Sequence, residues 1–95
     1  MTKRRVVVTG LGIVSPVGND LTSSWNNIIN GVSGIDLITH FDTTNFATKF
    51  AGEVKNFSTD GFFDAKEARR TDRFIQMGVV AGVQAVRDAG LEDLA

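Results

Sequence analysis

Lys66, Arg69, Arg70 and Arg73 fall at i, i+3, i+4 and i+7. On a helix that spacing lines cations along one face. Glu67 and Asp72 interrupt the run in sequence but lie off the stripe. Such a face suits an acidic partner, and its plain structural reading is a solvated helix surface. Other reactive chemistry is sparse. The chain has no cysteine. That excludes disulfides, thiolate metal sites and a cysteine nucleophile within these residues. The one histidine, His40, has no ring of carboxylates in sequence with which to hold zinc, and it reads as a loop residue. No cofactor is implied. Gly10-Leu11-Gly12 follows an apolar run and invites a nucleotide-binding α/β reading. The dinucleotide fingerprint needs a third glycine that opens directly into a helix. Here Ser15 stands at that position, Pro16 follows, and the next helical pattern begins several residues later. The glycines are read instead as backbone clearance.

Composition narrows the classes. The chain has 95 residues, which is one domain or part of one. It is 42% apolar and 22% charged, outside the disordered range. A net charge of −1 gives no global field for nucleic acid or a membrane surface. The basic start, Met1-Thr-Lys-Arg-Arg5, is followed only by Val6–Val8 before Thr9 and Gly10, too short for a signal peptide. No apolar run reaches membrane-spanning length. A soluble, cytoplasmic chain is expected.

The elements that would position the cations follow from periodicity. Arg4 to Gly12, with Val6, Val7 and Val8 unbroken, predicts a buried strand of a parallel sheet. Ser15-Pro16 and Gly18-Asn19 predict a turn. A helix is expected from about Leu21 to Asn30, capped by Asn19 or Asp20 and ended by Gly31. Its apolar stripe is Leu21, Trp25, Ile28 and Ile29. Residues 33–46 read as a long loop with an apolar stretch at Ile35–Ile38, and Phe50–Val54 as a short strand. Asp64, with Glu67 three residues on, reads as a capping box opening a second helical region. The main helix is expected from about Asp72 to Ala89, ended by Gly90.

That helix is apolar almost all round between Phe74 and Val86, with Gln76 and Gln84 as its only polar side chains there. Gly78 and Gly82, with Ala81, Ala85 and Ala89, offer small residues for close packing. Arg73 and Arg87 bracket only 13 residues, too few for a membrane span. One buried strand and one buried helix do not cover each other. The expectation is a piece of a larger fold, cut just after a helix cap at Glu92-Asp-Leu-Ala95.

Taken together, these segments are more specific. Val6-Val-Val-Thr-Gly-Leu-Gly-Ile-Val-Ser-Pro-Val-Gly18 closely resembles the opening strand and turn of β-ketoacyl-acyl carrier protein synthases. Gly31-Val-Ser-Gly-Ile35, Phe41-Asp42 and Phe50-Ala-Gly-Glu-Val54 follow in that family's order and spacing. Arg70-Thr-Asp-Arg-Phe74, then Gly78-Val-Val-Ala-Gly82, resembles its first long core helix. The resemblance covers essentially the whole chain and is strongest to the elongating type II enzymes of bacteria. Thr71 departs from the methionine more frequent there.

The resemblance implies an α/β thiolase-like fold, layered α/β/α/β/α, of which residues 1–95 are the N-terminal part of the first half. It implies a homodimer. It also implies a two-stage reaction: a cysteine takes an acyl chain from acyl carrier protein, and malonyl carrier protein is then decarboxylated and condensed onto it. The family's cysteine and two histidines have no counterpart here. No catalytic residue is therefore expected in this segment, and by itself it should be inactive. One function carries over by position: Lys66, Arg69 and Arg70 match the family's docking patch for the acidic carrier protein. Arg73 matches a family position without a docking role. The alternatives are a type I synthase or polyketide ketosynthase fragment, a nucleotide-binding module, and a non-catalytic binding module.

Overall fold

A computed structural model describes residues 3–92. Positions 1–2 and 93–95 lie outside them, and with them most of the expected stop after Glu92. Helix α1 spans Leu21–Ile29, strand β1 Ile35–Leu37, strand β2 Phe50–Gly52, helix α2 Ala65–Arg70 and helix α3 Arg73–Asp88. The result is mixed α and β, with one two-stranded antiparallel sheet among the described residues.

Local chemistry explains the helix ends. The Asp20 carboxylate accepts the Ser23 N–H at 2.8 Å and starts α1. Asn30 closes it, and Gly31 follows with φ +69°. The Gly31 N–H donates to the Ile28 carbonyl and the Val32 N–H to the Asn27 carbonyl, a Schellman cap. Helix α3 ends in the same way. Gly90 has φ +72°, its N–H donates to Arg87, and the Leu91 N–H donates to Val86.

Strands β1 and β2 pair Ile35 with Gly52, Asp36 with Ala51 and Leu37 with Phe50. The apolar stretch read as part of a loop is thus a strand. The Ile38 N–H extends the pairing to the Lys49 carbonyl. The long connection is folded on itself: Phe41 and Phe46 meet edge to face at 5.5 Å. The Lys49 ammonium donates to the carbonyls of Thr43 and Phe46.

The expected buried strand at Arg4–Gly12 is corrected. Residues 3–14 form no ladder among the described residues, and Val6 is 93% exposed. A strand is defined by a hydrogen-bonded neighbour, and nothing described here pairs with this segment. The segment is anchored by its glycines instead. Gly10 and Gly12 lie on the face of α3 that carries Ala81, Ala85 and Ala89. A Cβ at Gly10 would sit 2.7 Å from the Ala89 nitrogen and would collide with the Ala85 carbonyl. A Cβ at Gly12 would sit 2.8 Å from the Ala85 nitrogen and would collide with the Ala81 carbonyl. The small-residue face of α3 is therefore used, but by its alanines. Nothing lies within 4 Å of a Cβ built at Gly78 or Gly82.

Two side chains of α3 lock this contact. The Leu11 N–H donates to Asp88 Oδ2 at 2.9 Å. The Ile13 N–H donates to Gln84 Oε1 at 3.1 Å, while Gln84 Nε2 donates to the Asn19 carbonyl at 2.6 Å. One amide thus holds both sides of the intervening turn. Within that turn Ser15 and Gly18 exchange backbone hydrogen bonds. The Ser15 hydroxyl meets the buried Ser24 hydroxyl at 3.0 Å and seats the turn on α1.

Helix α3 is less enclosed than its composition predicts. Val80 is buried, but Phe74, Ile75, Val79 and Val86 are exposed, as is the stripe Leu21, Trp25, Ile28 and Ile29 on α1. The radius of gyration is 16.9 Å, against about 12 Å for a compact domain of this length. The described elements supply a partner for one face of α3 and leave the others open.

Gly12→Ala should destabilise a complete synthase carrying these residues by about 1–3 kcal/mol, because the collision is with helix backbone that has nowhere to move. Chemical denaturation measures it, and an unchanged midpoint would contradict the contact. A second expectation concerns Asp20. Its hydrogen bonds with the Ser23 hydroxyl and N–H hold its pKa below 3.8. The stabilisation is present above that ordinary value and is lost as pH falls through the lowered one. Asp20→Ala should cost about 1 kcal/mol near neutrality. The difference from wild type should shrink in acid denaturation series below pH 3.8. A difference independent of pH would contradict a charged cap.

Candidate functional site

The candidate patch lies on α2. Asp64 starts this helix by accepting the Glu67 N–H at 2.7 Å. Helix α2 stops at Arg70 because Thr71 turns to φ −111°, ψ 129°. This breaks the continuous stripe. Lys66, Arg69 and Arg70 share α2, whereas Arg73 begins α3. The Arg73 guanidinium sits 5.4 Å from the Phe57 ring centroid. The structure therefore groups the three residues assigned to docking and gives Arg73 a packing contact.

The remaining cations sort in the same way. Lys55 donates to the carbonyls of Pro16, Gly34 and Glu53 at 3.1–3.2 Å, tying three segments together. Lys49 is held by the carbonyls of its own loop. Arg87 lies over the Phe62 ring, donates to the Gly61 carbonyl and pairs with Glu92 at 3.2 Å. Among the described residues, Lys66, Arg69 and Arg70 are exposed and have neither an ion pair nor a hydrogen bond at their charged heads. Lys3, Arg4 and Arg5 are also exposed, on the extended N-terminal segment. Sequence spacing found the α2 cluster but could not tell engaged cations from unengaged ones. That distinction depends on loop carbonyls and aromatic rings, most of them distant in sequence.

His40 is half-exposed, with Nε2 3.5 Å from Glu53 Oε2. Glu53 also accepts the Thr39 N–H, the Thr39 hydroxyl and the His40 N–H, which joins the end of β1 to the segment after β2. His40 belongs to this structural knot. Among the described residues, no group of three or more His, Asp or Glu is placed to hold a metal. The glycines at 10 and 12 face α3 and leave no cradle for a phosphate, so the nucleotide reading loses its geometric basis. A cavity of about 350 Å³ lies beside the Ser15–Gly18 turn, lined in part by Asn19, Asn27 and Lys55. Within it the Asn19 amide donates to the Lys55 carbonyl, and its buried Oδ1 has no partner.

Comparison with known proteins identifies the family. The model of the β-ketoacyl synthase N-terminal domain matches residues 3–95. The chain belongs to the β-ketoacyl synthase family. It is 58% identical over 92 residues to the 3-oxoacyl-[acyl-carrier-protein] synthase 2 of Vibrio cholerae, covering 97% of this chain and 22% of that protein. The Vibrio harveyi protein of the same name is 56% identical over 92 residues, with the same coverage. The Staphylococcus aureus protein is 51% identical over 89 residues, covering 94% of this chain and 22% of its own length. The chain thus spans about a fifth of the curated relatives it matches. The family resemblance read from the Val6–Gly18 and Arg70–Gly82 segments is borne out. As a β-ketoacyl synthase N-terminal segment, the chain places its polar clamps on α3 and a cluster of three unengaged cations on α2.

Among the described residues no helix is long and apolar enough to cross a membrane. Asp64→Ala should remove the N-cap of α2 and cost about 1 kcal/mol locally. Hydrogen exchange over residues 64–71 of a complete synthase should then quicken while exchange over α3 holds. Uniform quickening of both, or of neither, would contradict a cap that acts on α2 alone.

Proposed function

We propose that this chain is the N-terminal part of the first half of a bacterial, elongating-type 3-oxoacyl-[acyl-carrier-protein] synthase. The enzyme would join acyl and malonyl groups carried on acyl carrier protein. The high identity to relatives of that name along nearly the whole chain carries the reading. It favours the type II enzyme over a type I synthase or polyketide ketosynthase. In this reading the segment packs into a layered α/β/α/β/α thiolase-like fold of a cytoplasmic homodimer. The nucleophilic cysteine and the two histidines lie outside these residues. The thiolate takes the acyl group from its carrier thioester. Loss of carbon dioxide from the malonyl group then generates the carbon nucleophile that attacks the acyl-enzyme.

In the same proposal, Lys66, Arg69 and Arg70 dock the acidic carrier protein. Their support is their shared helix, their exposure and the lack of competing partners among the described residues. Each exposed charge contact is worth about 0.2–1 kcal/mol, so one substitution has a small effect and three have a clear one. Contacts of this kind act mainly on association rate and salt dependence.

Reversal of Lys66, Arg69 and Arg70 to glutamate in a complete synthase should raise KM for acyl carrier protein substrates. Turnover of a small acyl thioester should be spared. The effect should shrink with salt, as the Debye length falls from about 10 Å at 0.1 M to about 3 Å at 1 M. Equal loss with both substrates, or no loss with either, would overturn the docking assignment.

A further inference from the structure

The geometry points to Gln76 as the positioning residue of α2, an inference that rests on the docking reading above. Helix α2 has six residues and buries none of its side chains. A helix that short is not stable through its own hydrogen bonds. Packing of an apolar face normally supplies the difference. Here polar contacts at the two ends supply it. At the start, Asp64 takes the Glu67 N–H. At the end, the Thr71 hydroxyl donates to the Glu67 carbonyl at 2.7 Å. Both contacts are local to α2 and its caps, and they fix its shape without fixing its direction.

Gln76 differs because it comes from another helix. From the first turn of α3, its Nε2 donates to the Ala68 carbonyl at 2.7 Å and to the Thr71 carbonyl at 3.2 Å. A helix end leaves such carbonyls short of partners, and besides Gln76 the Ala68 carbonyl takes a long 3.4 Å bond from the Thr71 N–H. One neutral amide therefore closes the C-terminus of α2 and ties its orientation to α3. It is one of two polar side chains in the apolar interior of α3. The other, Gln84, makes the equivalent clamp on the N-terminal turn.

The neutrality of Gln76 separates its role from that of the cations. Removing charge from α2 weakens the long-range attraction that steers an acidic partner. Removing the Gln76 amide leaves that field intact and loosens the placement of Lys66, Arg69 and Arg70. The loss should then fall on the docked complex and not on the encounter.

The test uses a complete synthase carrying these residues. Gln76→Leu removes the donor. Gln76→Glu keeps the side chain's shape but offers only acceptors near neutral pH, which guards against misfolding of the leucine variant. The loss of one net hydrogen bond corresponds to about a twofold to tenfold change in affinity. KM for the acyl carrier protein substrate should rise by that factor in both variants. The kcat and the KM for a small acyl thioester should stay at wild-type values in both variants, and the ionic-strength dependence of carrier association should stay at the wild-type value in the charge-neutral leucine variant. The Lys66→Glu, Arg69→Glu, Arg70→Glu triple variant is measured in parallel. If the triple raises the carrier KM and neither Gln76 variant does, docking stands and the role of Gln76 is overturned. If the triple has no effect, the docking reading fails and the Gln76 role falls with it. A lower kcat, or an equal rise in KM for both substrates, would mark general damage and also overturn it.

Discussion

The arrangement depends on a close approach between two stretches of backbone. Gly10 and Gly12 lie against the turns of α3 that carry Ala81, Ala85 and Ala89, where any side chain on the glycines would meet helix backbone. Small residues on both partners allow this, and the resulting short separation brings polar groups into reach. The Gln84 amide then bridges Ile13 and Asn19, and Asp88 takes the Leu11 N–H. Without the glycine–alanine contact these side chains could not span the gap. The Ser15–Gly18 turn would lose its seat, and with it the link to α1 through Ser24.

Helix α3 acts as a spine with two polar exits. Toward its C-terminal half, Gln84 and Asp88 hold the N-terminal segment. In its first turn, Gln76 holds α2. Both glutamines sit in an otherwise apolar run. Each serves main-chain groups of another element, which explains how polar residues persist there at no loss to the fold. The remaining apolar surface of α3 and α1 is open among the described residues. A chain spanning about a fifth of its relatives' length is consistent with elements designed to be covered by more protein.

Much of this was legible because it is local. Asp20, Asp64, Gly31 and Gly90 act within a few residues of themselves, so residue type and spacing located three of these caps and narrowed the fourth to Asn19 or Asp20, of which Asp20 is the cap. The family was legible from the Val6–Gly18 and Arg70–Gly82 segments. Other features depend on distant partners. Val6–Val8 carries the pattern of a buried strand, but a pattern states what a segment prefers to bury, not what pairs with it. Strand β1 was missed because Ile35–Leu37 is short and gains strand character only opposite Phe50–Gly52. Arg73 shared the spacing of the α2 cations, yet Thr71 leaves the helical region and divides them. The sorting of engaged from unengaged cations needed Phe57, Phe62 and several loop carbonyls, none adjacent in sequence.

Taken together, the helix α3 spine presents three unengaged cations on a short helix fixed at both ends. Zero-length carbodiimide coupling between acyl carrier protein and a complete synthase tests this most directly, because it joins a carboxylate only to an amine already in contact with it. Within these residues the candidate side-chain amines are Lys3, Lys49, Lys55 and Lys66. The account predicts mass-spectrometric cross-links at Lys66, lost at high salt, with Lys49 and Lys55 unmodified because loop carbonyls hold them. Cross-links at Lys3, Lys49 or Lys55 in the absence of any at Lys66 would contradict it.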